Sequence, residues 1–533
     1  MKKFNIDNIP NQIHDVCIIG SGMCGQIIAN VLSENKKKII IIESGKFKFD
    51  EEIQRLNNFN SKGLSLRNNP NQKLNNQIIR QFGGSANNWG NQIMFYDEID
   101  FKDRPWVDDN LKWGFNYDEL LNYYNKTLNL VYNKSEANIN KFSKNLTSKI
   151  NSNFDNSFFL DKNFNFPMSF HPQGVEKFNY KSSFSKKLFY KKNVIILTNT
   201  TATNFYFSNS KDKIDKLEVN LHNRKIFIKS KIFILCAGAT ENAKILLNNS
   251  LNNKVLDNPL IGKYFMDHPR INIGSIILKK NIKLSTLLGF KGKNLNFRRG
   301  IRFSENLQKE KKILNSHLFI NPLFEGHEVE TFNKTLQIIK NLKYFKKINS
   351  NSFKKFDFKK FIEQLYFIPH RISNSYLNYV LSNFYLITKR NFSFKKLSVD
   401  YHGEQCPNID SKVYLDNARD KFNQHILNIN WNLKDIDYRT FKTFSDYFKN
   451  YKNDMFEFHE NDNYQIIDQK HRIGTTRMGE SKTTGVVDKN CKVFDVDNLY
   501  ISGGSVFRTG SSANPGLTMM AVSFRLAEHL SKL

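Results

Sequence analysis

The feature that most constrains the fold of this chain is a glycine pattern near the start of the sequence. Gly20, Gly22 and Gly25 form a G-x-G-x-x-G loop directly after the apolar run of residues 15–20 (DVCIIG), and a helical pattern follows. A second apolar run, at residues 38–43, completes the unit. In such a loop the first glycine permits the tight turn, the second lets backbone N–H groups approach a pyrophosphate, and the third allows helix and strand to pack closely. The pattern predicts a βαβ unit that binds a dinucleotide.

The residues around this loop point to the same kind of ligand. Glu43 ends the second strand, 18 residues after Gly25, where an acid usually holds a pair of ribose hydroxyls. The helix begins at about Met23, and the N-terminus of a helix favours anionic phosphates. We therefore expect Glu43 to contact the dinucleotide. The loop by itself does not distinguish FAD from NAD, and a plain turn at a helix start is the alternative.

The length and the apolar pattern indicate more than one domain. A chain of 533 residues is too long for one ordinary core and suits two or three packed domains. Residues 117–133 have the pattern of an amphipathic helix, and residues 518–530 predict a final helix. Apolar and alternating stretches between 193 and 238 predict strands, with a helix at about 241–247. Residues 46–80 are polar and predict a loop.

The formal charge of +30 raises the question of a polyanionic partner. The basic residues are spread along the chain, however, and form no compact RNA- or DNA-binding motif. Lys, Asn, Ile and Phe are abundant throughout, as compositional drift in an AT-rich genome would produce. We therefore expect no nucleic-acid partner.

One segment, residues 340–396, is more biased than the rest. It has 13 Lys and Arg residues against two acids, interleaved with aromatic and aliphatic residues. One interpretation is an interfacial helix pair that touches anionic lipid. The alternative, which we favour, is a solvated cap whose aromatic residues pack on the domain below.

Other sequence features bear on membranes, metals and disulfides. No stretch of 18 apolar residues occurs, so we expect no transmembrane segment. No apolar region follows the initial lysines, which argues against a secretory signal and makes the cytoplasm the expected location. The five cysteines include no C-x-x-C pair, so we expect neither a disulfide framework nor a metal site.

Four further blocks of sequence accompany the glycine loop and extend over the remainder of the chain. They are RQFGGSANNWG at 80–90; NVIILTNTTA at 193–202 with IFILCAGATENAKILL at 232–247; GKYFMDHP at 262–269; and a C-terminal block of HRIGTTRMG at 471–479, GVVD at 485–488, NLYISGGS at 498–505 and NPGLT at 514–518. A shorter element, EQCPN at 404–408 with SKVYL at 411–415, lies between the last two blocks.

In content and order these five blocks resemble the glucose–methanol–choline (GMC) oxidoreductases, a family of FAD enzymes. The resemblance covers nearly the whole chain, with residues 280–400 the least recognisable. It implies an α/β fold: a discontinuous, Rossmann-like FAD-binding domain, and a substrate-binding domain on an antiparallel β-sheet (α+β). The expected boundaries are 1–100, 185–275 and 465–533 for the FAD-binding domain, and 101–184 and 276–464 for the substrate-binding domain.

The resemblance also implies which residues contact the cofactor. The expected cofactor-binding residues are Gly20, Gly22, Met23, Gly25, Glu43, Ser44, Arg80, Gly84, Ser85, Asn88, Trp89, Ala202, Gly238, Gly503, Gly504, Asn514 and Pro515. In the similar pyranose oxidases, a histidine before the tryptophan of the second block joins the flavin covalently. Asn88 stands at that position here, so we expect a non-covalent, dissociable FAD.

By the same resemblance, His471 is the base that takes the hydroxyl proton of an alcohol. Histidine suits this role because its imidazole is largely neutral near pH 7. Asn514 stands at the family's second active-site position and would orient the substrate oxygen. His268, in the fourth block, is expected to be structural. Arg508 replaces a residue that is often proline in the family, and either binds a carboxylate or phosphate of the substrate or pairs with an acid.

These residues predict an FAD-dependent oxidase or dehydrogenase that acts on the CH–OH group of an alcohol or sugar. Sugars are slightly preferred, and O2 or another acceptor would reoxidise the flavin. Arg508 and Gly516 stand where relatives often have proline and threonine. Because both positions lie near the expected active site, the resemblance predicts the fold better than it predicts the substrate. Three alternatives stay open: a redox-silent FAD lyase of the same fold, a nicotinamide-dependent dehydrogenase, and a basic binding protein without enzymatic activity.

Overall fold

The structure of the protein is a computed structural model. It describes residues 12–64, 78–107, 113–132, 164–165, 168–172, 178–221, 224–279, 295–322, 396–451 and 454–533. The basic segment at 340–396 lies outside the described residues except for its last residue, so both interpretations of that segment stay predictions.

The described residues form strands and α-helices that are numbered here in chain order. The strands are β1 (Ile13–Ile19), β2 (Ile39–Ile42), β3 (Phe59–Gly63), β4 (Phe164–Asn165), β5 (Met168–Pro172), β6 (Val194–Leu197), β7 (Thr200–Phe207), β8 (Ile214–Leu221), β9 (Arg224–Leu235), β10 (Pro269–Leu278), β11 (Leu295–Arg299), β12 (Ile301–Phe303), β13 (His317–Pro322), β14 (Lys396–His402), β15 (Lys412–Arg419), β16 (His425–Trp431), β17 (Phe456–Glu460), β18 (Ile467–Asp468) and β19 (Leu499–Ile501). The helices are α1 (Met23–Glu34), α2 (Glu51–Gln54), α3 (Tyr117–Tyr132), α4 (Ser183–Tyr190), α5 (Ala239–Ser250), α6 (Glu305–Lys311), α7 (Asp435–Asn450) and α8 (Gly516–Ser531).

The first sheet contains the βαβ unit that the glycine loop predicts. Its parallel part has the order β6-β2-β1-β9-β19, with β1 pairing β2 on one side and β9 on the other. The runs DVCII and IIII fit these positions, because strands covered on both faces are apolar throughout rather than alternating. Helix α1 packs against α8, so the two ends of the described chain meet over this sheet.

Strand β9 extends beyond the parallel part of the first sheet. Its first half pairs antiparallel with β8, and β8 pairs with β7 to form a meander. Its last three residues, Phe233–Leu235, pair in parallel with β19. The strands predicted between 193 and 238, and the helix after them, are thereby confirmed as β6 to β9 and α5.

The second large sheet is antiparallel, as the resemblance implies. Its order is β17-β10-β14-β13-β12-β4, and β18 also pairs with β10. On one face Ile271, Leu318 and Val399 form an apolar core with the aromatic residues of α7, which include Phe441 and Phe444. Alternate residues of a strand point to opposite sides of the sheet. The opposite face therefore carries the buried polar side chains of Asn321, Asp400 and His402. The mixed α/β fold class is confirmed.

A third, smaller sheet corrects one prediction. Residues 46–80 were predicted to be a loop, but α2 and β3 form within them, and β3 pairs in parallel with β16. The sequence FNSKG lacks the alternating apolar residues that mark a strand, and four of its five residues are exposed. Pairing with the edge of β16 therefore creates this strand, and the local pattern does not encode it.

The domain boundaries stay a prediction, but the sheets give two observations on them. The first sheet draws its strands from residues 13–235 and 499–501, and the second sheet from residues 164–468. Two features cross the expected boundaries: β3, in the expected FAD-binding domain, pairs with β16 of the expected substrate-binding domain, and β10 itself runs across the boundary at 275/276. None of the helices in the described segments is long and apolar enough to cross a membrane.

Candidate active site

A cavity lies at the carboxyl edge of the parallel strands and brings together residues from four of the five sequence blocks, the block at 262–269 being the exception. In α/β sheets this edge is where ligands bind. The expected residues that line it are Gly20, Gly22, Met23, Glu43, Ser44, Arg80, Gly84, Ser85, Ala202, Gly238, Gly503 and Gly504. Strands β1, β9 and β19 are neighbours in the sheet, so the loops that follow them meet here although they are far apart in sequence.

Backbone conformation and close packing within the protein require glycine at two positions of the first loop. Gly20 has φ +106°, a conformation that favours glycine, and its Cβ would stand 2.5 Å from the carbonyl oxygen of Cys236. A Cβ on Gly25 would stand 2.1 Å from the carbonyl oxygen of Gly20. Gly25 therefore allows α1 to pack closely on the end of β1, and it does not line the cavity itself.

Gly22 differs from both of its neighbours in the motif. Its φ of −65° and ψ of −174° are open to any residue, and apart from its own chain neighbours no described atom lies within 4 Å of the place a Cβ would take. Neither backbone strain nor packing therefore requires glycine here. A ligand that approaches the backbone would require it, because a Cβ would project into the cavity.

The N-terminus of α1, next to Gly22, suits an anion. The residues of the first turn, from Met23 to Gln26, carry no negative charge, and Gly22 has no side chain that could cap the helix. The amide groups at a helix N-terminus and the helix dipole together favour phosphate oxygens. The residues of this cavity fit the pyrophosphate of a dinucleotide, which FAD contains.

Glu43 lies beside the glycine loop, at the end of β2. Its carboxylate accepts hydrogen bonds from Ser21 N (3.0 Å), Ser21 Oγ (2.6 Å) and Gly45 N (2.7 Å). Burial raises the pKa of Glu43 above its ordinary value, and the hydrogen bonds from Ser21 and Gly45 oppose this shift. The acid thus ties the glycine loop to the second strand in addition to facing the cavity.

Arg80 connects the second block to the third. Its guanidinium forms an ion pair with Glu241 in the first turn of α5, and it donates to Ser44 Oγ at 3.0 Å and to Asn57 Oδ1 at 2.7 Å. Both members of the ion pair line the cavity. Glu241 is not among the residues that the sequence predicts for the site, although it stands inside the third block at the start of a predicted helix.

A second ion pair lines the cavity without any sequence signal. Lys244 Nζ lies 2.9 Å from Asp420 Oδ2, and both side chains are more than nine-tenths buried. Lys244 belongs to α5, whereas Asp420 lies in the turn between β15 and β16. Only the tertiary structure brings these two residues together.

The second block packs directly on the glycine loop. Gly83 N donates to the Ser21 carbonyl at 3.2 Å, and a Cβ on Gly84 would stand 3.1 Å from Gly22 Cα. Two expected residues of this block, Asn88 and Trp89, are not among the described residues that line the cavity. Trp89 instead donates from Nε1 to the Phe178 carbonyl at 2.9 Å and lies against the start of α8.

His471 is not among the described residues that line the cavity, although its chain neighbours Lys470 and Arg472 are. Its Nδ1 is 3.0 Å from Nδ1 of His268, and the two rings meet edge to face with centroids 4.9 Å apart. His268 in turn places Nε2 3.1 Å from the carbonyl oxygen of Gly510. His268 is therefore in direct contact with the expected base, across 203 residues of sequence.

A buried carboxylate holds both histidine loops. Asp267 Oδ1 accepts hydrogen bonds from the backbone N–H groups of His268 (2.7 Å), Gln469 (3.1 Å) and His471 (3.0 Å). Burial, and then the nearby Asp468, raise the pKa of Asp267 to about 7. Burial lowers the pKa of His268 to about 4, so this imidazole is neutral at pH 7.

The loop before α8 contains the remaining expected residues. Asn514 Nδ2 donates to the Gln92 carbonyl at 3.5 Å, and Pro515 directly precedes the helix; neither lines the described part of the cavity. Arg508 is buried and donates from one terminal nitrogen to the carbonyls of Met478 (2.6 Å) and Thr484 (3.0 Å). Through these contacts Arg508 fastens two segments of the C-terminal block to each other.

Comparison with known proteins places the chain in a family. The N-terminal model of the GMC oxidoreductases matches residues 83–270, and the C-terminal model matches residues 407–523, which together make up more than half of the chain. Over 60 residues the chain is 43% identical to a pyranose 2-oxidase from Lyophyllum shimeji, covering 11% of this chain and 10% of that protein. Over 62 residues it is 36% identical to a 2-methyl-1,2-propanediol dehydrogenase from Mycolicibacterium austroafricanum, covering 12% and 11%. The chain thus spans about a tenth of the length of these curated relatives.

Solved structures give the same fold over nearly the whole chain. Pyridoxine 4-oxidase from Mesorbium loti superposes with a TM-score of 0.56 at 14% identity, covering 97% of this chain and 99% of that one. A formate oxidase variant from Aspergillus oryzae RIB40 superposes with a TM-score of 0.55 at 15% identity, covering 98% of each. At these identities the likeness concerns the fold, and the two family models decide the assignment. The chain belongs to the GMC oxidoreductase family of FAD enzymes.

Proposed function

We propose that this protein oxidises the CH–OH group of an alcohol or sugar with FAD as cofactor, and that His471 takes the hydroxyl proton. The observation that carries the proposal is the position of His471: its loop contributes the neighbours Lys470 and Arg472 to the cofactor cavity. A base at this edge is within reach of a substrate that meets the flavin end of the cofactor. Bound FAD supplies the hydride acceptor at N5 of its flavin ring.

The chain's own residues hold the cofactor in this proposal. The backbone around Gly22 and the N-terminus of α1 bind the pyrophosphate. Glu43 accepts from a ribose hydroxyl with its remaining lone pairs, and Ala202 of β7 lies along the adenine part of the cavity. Asn88 has an amide where covalent attachment would need an imidazole, so the FAD remains dissociable.

His471 and Asn514 divide the work on the substrate hydroxyl. A neutral imidazole accepts the hydroxyl proton as the hydride leaves the carbon, and general bases of this kind contribute about 10²- to 10⁴-fold to the rate. The Asn514 amide hydrogen-bonds the substrate oxygen and fixes its orientation. Both residues come from the C-terminal block, and His268 bridges the two loops that contain them through its contacts with His471 and Gly510.

The polar face of the second sheet supports a hydroxyl-rich substrate. On this face Asp400 accepts hydrogen bonds from Arg270 and Asn272, each at 3.3 Å. His402, on the same face, lies 2.8 Å from Gln469, two residues before His471. Polar side chains of this kind can also hydrogen-bond several hydroxyl groups of a sugar, whereas a long-chain alcohol or a sterol offers few such groups. We therefore prefer a sugar, and the short match to a pyranose 2-oxidase agrees with this preference.

The visible spectrum of the purified protein tests the cofactor and the reaction together. We expect flavin bands near ~450 nm that bleach when one class of sugar or alcohol is added without oxygen. Repeating the experiment in air distinguishes an oxidase from a dehydrogenase that uses another acceptor. A yellow protein that no alcohol bleaches would favour the redox-silent lyase, and a colourless protein that takes up no FAD would favour the nicotinamide alternative.

A further inference from the structure

The contact between His268 and Gly510 fixes the position of one proton. A carbonyl oxygen only accepts hydrogen bonds, so the 3.1 Å contact with Nε2 of His268 requires a proton on that nitrogen. A neutral imidazole has a single N–H, and Nδ1 of His268 is then an acceptor.

The proton on Nε2 of His268 also decides which ring nitrogen of His471 carries a proton. Nδ1 of His471 lies 3.0 Å from the acceptor Nδ1 of His268, so Nδ1 of His471 must be the donor. In neutral His471 the acceptor nitrogen is then Nε2. We propose that His268 is a positioning residue, which fixes His471 in the tautomer protonated at Nδ1 so that Nε2 accepts the proton of the substrate hydroxyl. The role of Nε2 as acceptor of the substrate proton rests on the function proposed above, whereas the tautomer of His471 does not.

The surroundings of His268 keep this arrangement in place. Its imidazole is buried, and with its pKa lowered to about 4 it stays neutral over the physiological range. A protonated His268 would donate from Nδ1 and force the opposite tautomer on His471. The backbones of both histidines are held by Asp267 Oδ1, so the 3.0 Å contact does not depend on side-chain packing alone.

The arrangement also serves the protonated state of His471. When Nε2 has accepted a proton, Nδ1–H continues to donate to the same neutral acceptor, and no side chain has to turn. Among the described residues, the charged groups near these two loops include Lys470, Asp267, Asp468 and Arg472, with Glu241 acting on Arg472 and Glu404 on His268.

A matched pair of variants separates this role from packing. Asparagine at position 268 has its Oδ1 near the place of the imidazole Nδ1 and can accept from His471, whereas leucine has almost the same shape and cannot. Both variants lose the contact with Gly510, so that loss is common to them. The first measurement is ¹⁵N NMR of histidine-labelled protein without substrate, with the His471 signals identified by their disappearance in His471→Gln.

We expect His471 to be protonated at Nδ1 in the wild type and in His268→Asn, and to lose this tautomer in His268→Leu. A wild-type His471 protonated at Nε2 would overturn the proposal without any variant, and so would an unchanged tautomer in His268→Leu. This readout needs no reactive alcohol, and it remains decisive if the proposed function fails.

The second measurement is the rate of flavin reduction by a reactive alcohol under anaerobic conditions. We expect His268→Leu to reduce the limiting rate by about 100-fold or more, and His268→Asn to stay within about 10-fold of the wild type, with little change in the half-saturating concentration. Equal loss in the two variants would mean that His268 acts only through packing, and would overturn the proposal.

Discussion

The contrast between Gly22 and Gly25 gives a prediction that separates ligand binding from folding. Replacing either glycine by alanine adds one methyl group to the same loop. At Gly22 that methyl group meets open space and a backbone conformation that alanine adopts freely. At Gly25 it would lie 2.1 Å from the carbonyl oxygen of Gly20, far inside van der Waals contact, and α1 would have to move away from β1.

The expected magnitudes follow from these two environments. Gly22→Ala should leave the free energy of unfolding of the apoprotein unchanged or raise it by about 0.4–1 kcal/mol, because alanine restricts the unfolded chain. It should weaken FAD binding by about 10- to 100-fold, which corresponds to losing one charge-assisted hydrogen bond of about 1.5–3 kcal/mol to phosphate. Gly25→Ala should lower the free energy of unfolding by about 1–3 kcal/mol, as overpacking does.

Two assays on the same preparations test this prediction. Denaturant unfolding of protein freed of FAD gives the stabilities, and quenching of flavin fluorescence on titration gives the affinities. If Gly22→Ala destabilises the apoprotein as much as Gly25→Ala does, then the fold itself requires glycine at position 22 and the proposed role of Gly22 is wrong. If Gly22→Ala binds FAD as tightly as the wild type, then the pyrophosphate does not occupy the open space beside Gly22, and the proposed role is also wrong.

Three further predictions concern the active site and the buried charges. His471→Ala should slow anaerobic flavin reduction by about 10²- to 10⁴-fold while FAD stays bound, and stopped-flow spectroscopy measures both; near-normal reduction would remove His471 from the proposed role. The pKa of Asp267 is raised to about 7, so the folded state holds this proton when the unfolded state has already lost it. The stability of the wild type relative to Asp267→Asn should therefore fall as pH rises from about 4 to about 7, and a difference that is flat with pH in denaturant titrations would contradict this. Arg104 is fully buried and forms a bidentate pair with Glu404, so Glu404→Gln should lower the free energy of unfolding by about 3–5 kcal/mol. The double variant Glu404→Leu with Arg104→Met should lower it by less, because no unpaired charge stays buried. A larger loss in the double variant than in Glu404→Gln, measured by unfolding, would show that the ion pair is net stabilising.

The βαβ unit shows how far local sequence reaches. Its strands, its helix and the placement of Glu43 beside the glycine loop follow from a pattern contained within residues 15–43, and the observed elements agree with it. Such a unit is predictable because its packing partners are neighbours in sequence. The family resemblance extended the same reasoning to the loops after β9 and β19, which do line the cavity.

Other features depended on contacts that no local pattern encodes. Strand β3 forms from the polar sequence FNSKG because the edge of β16 is available to it. Lys244 and Asp420 pair across the cavity from elements 176 residues apart in sequence. Arg508 was expected to meet a substrate anion or an acid, and its hydrogen bonds to Met478 and Thr484 depend on how the C-terminal segments cross.

The two histidines show which features the sequence determines and which depend on the tertiary structure. The sequence by itself determined that His471 stands in the block that resembles a catalytic loop, and that a dinucleotide loop begins the fold, because glycine geometry and helix dipoles act over a few residues. Only the tertiary structure decided that His268, expected to be structural, lies 3.0 Å from His471. The start of β10 and the loop after β18 are brought side by side by strand pairing and by Asp267, and the orientation of a proton between two imidazoles follows from that contact alone.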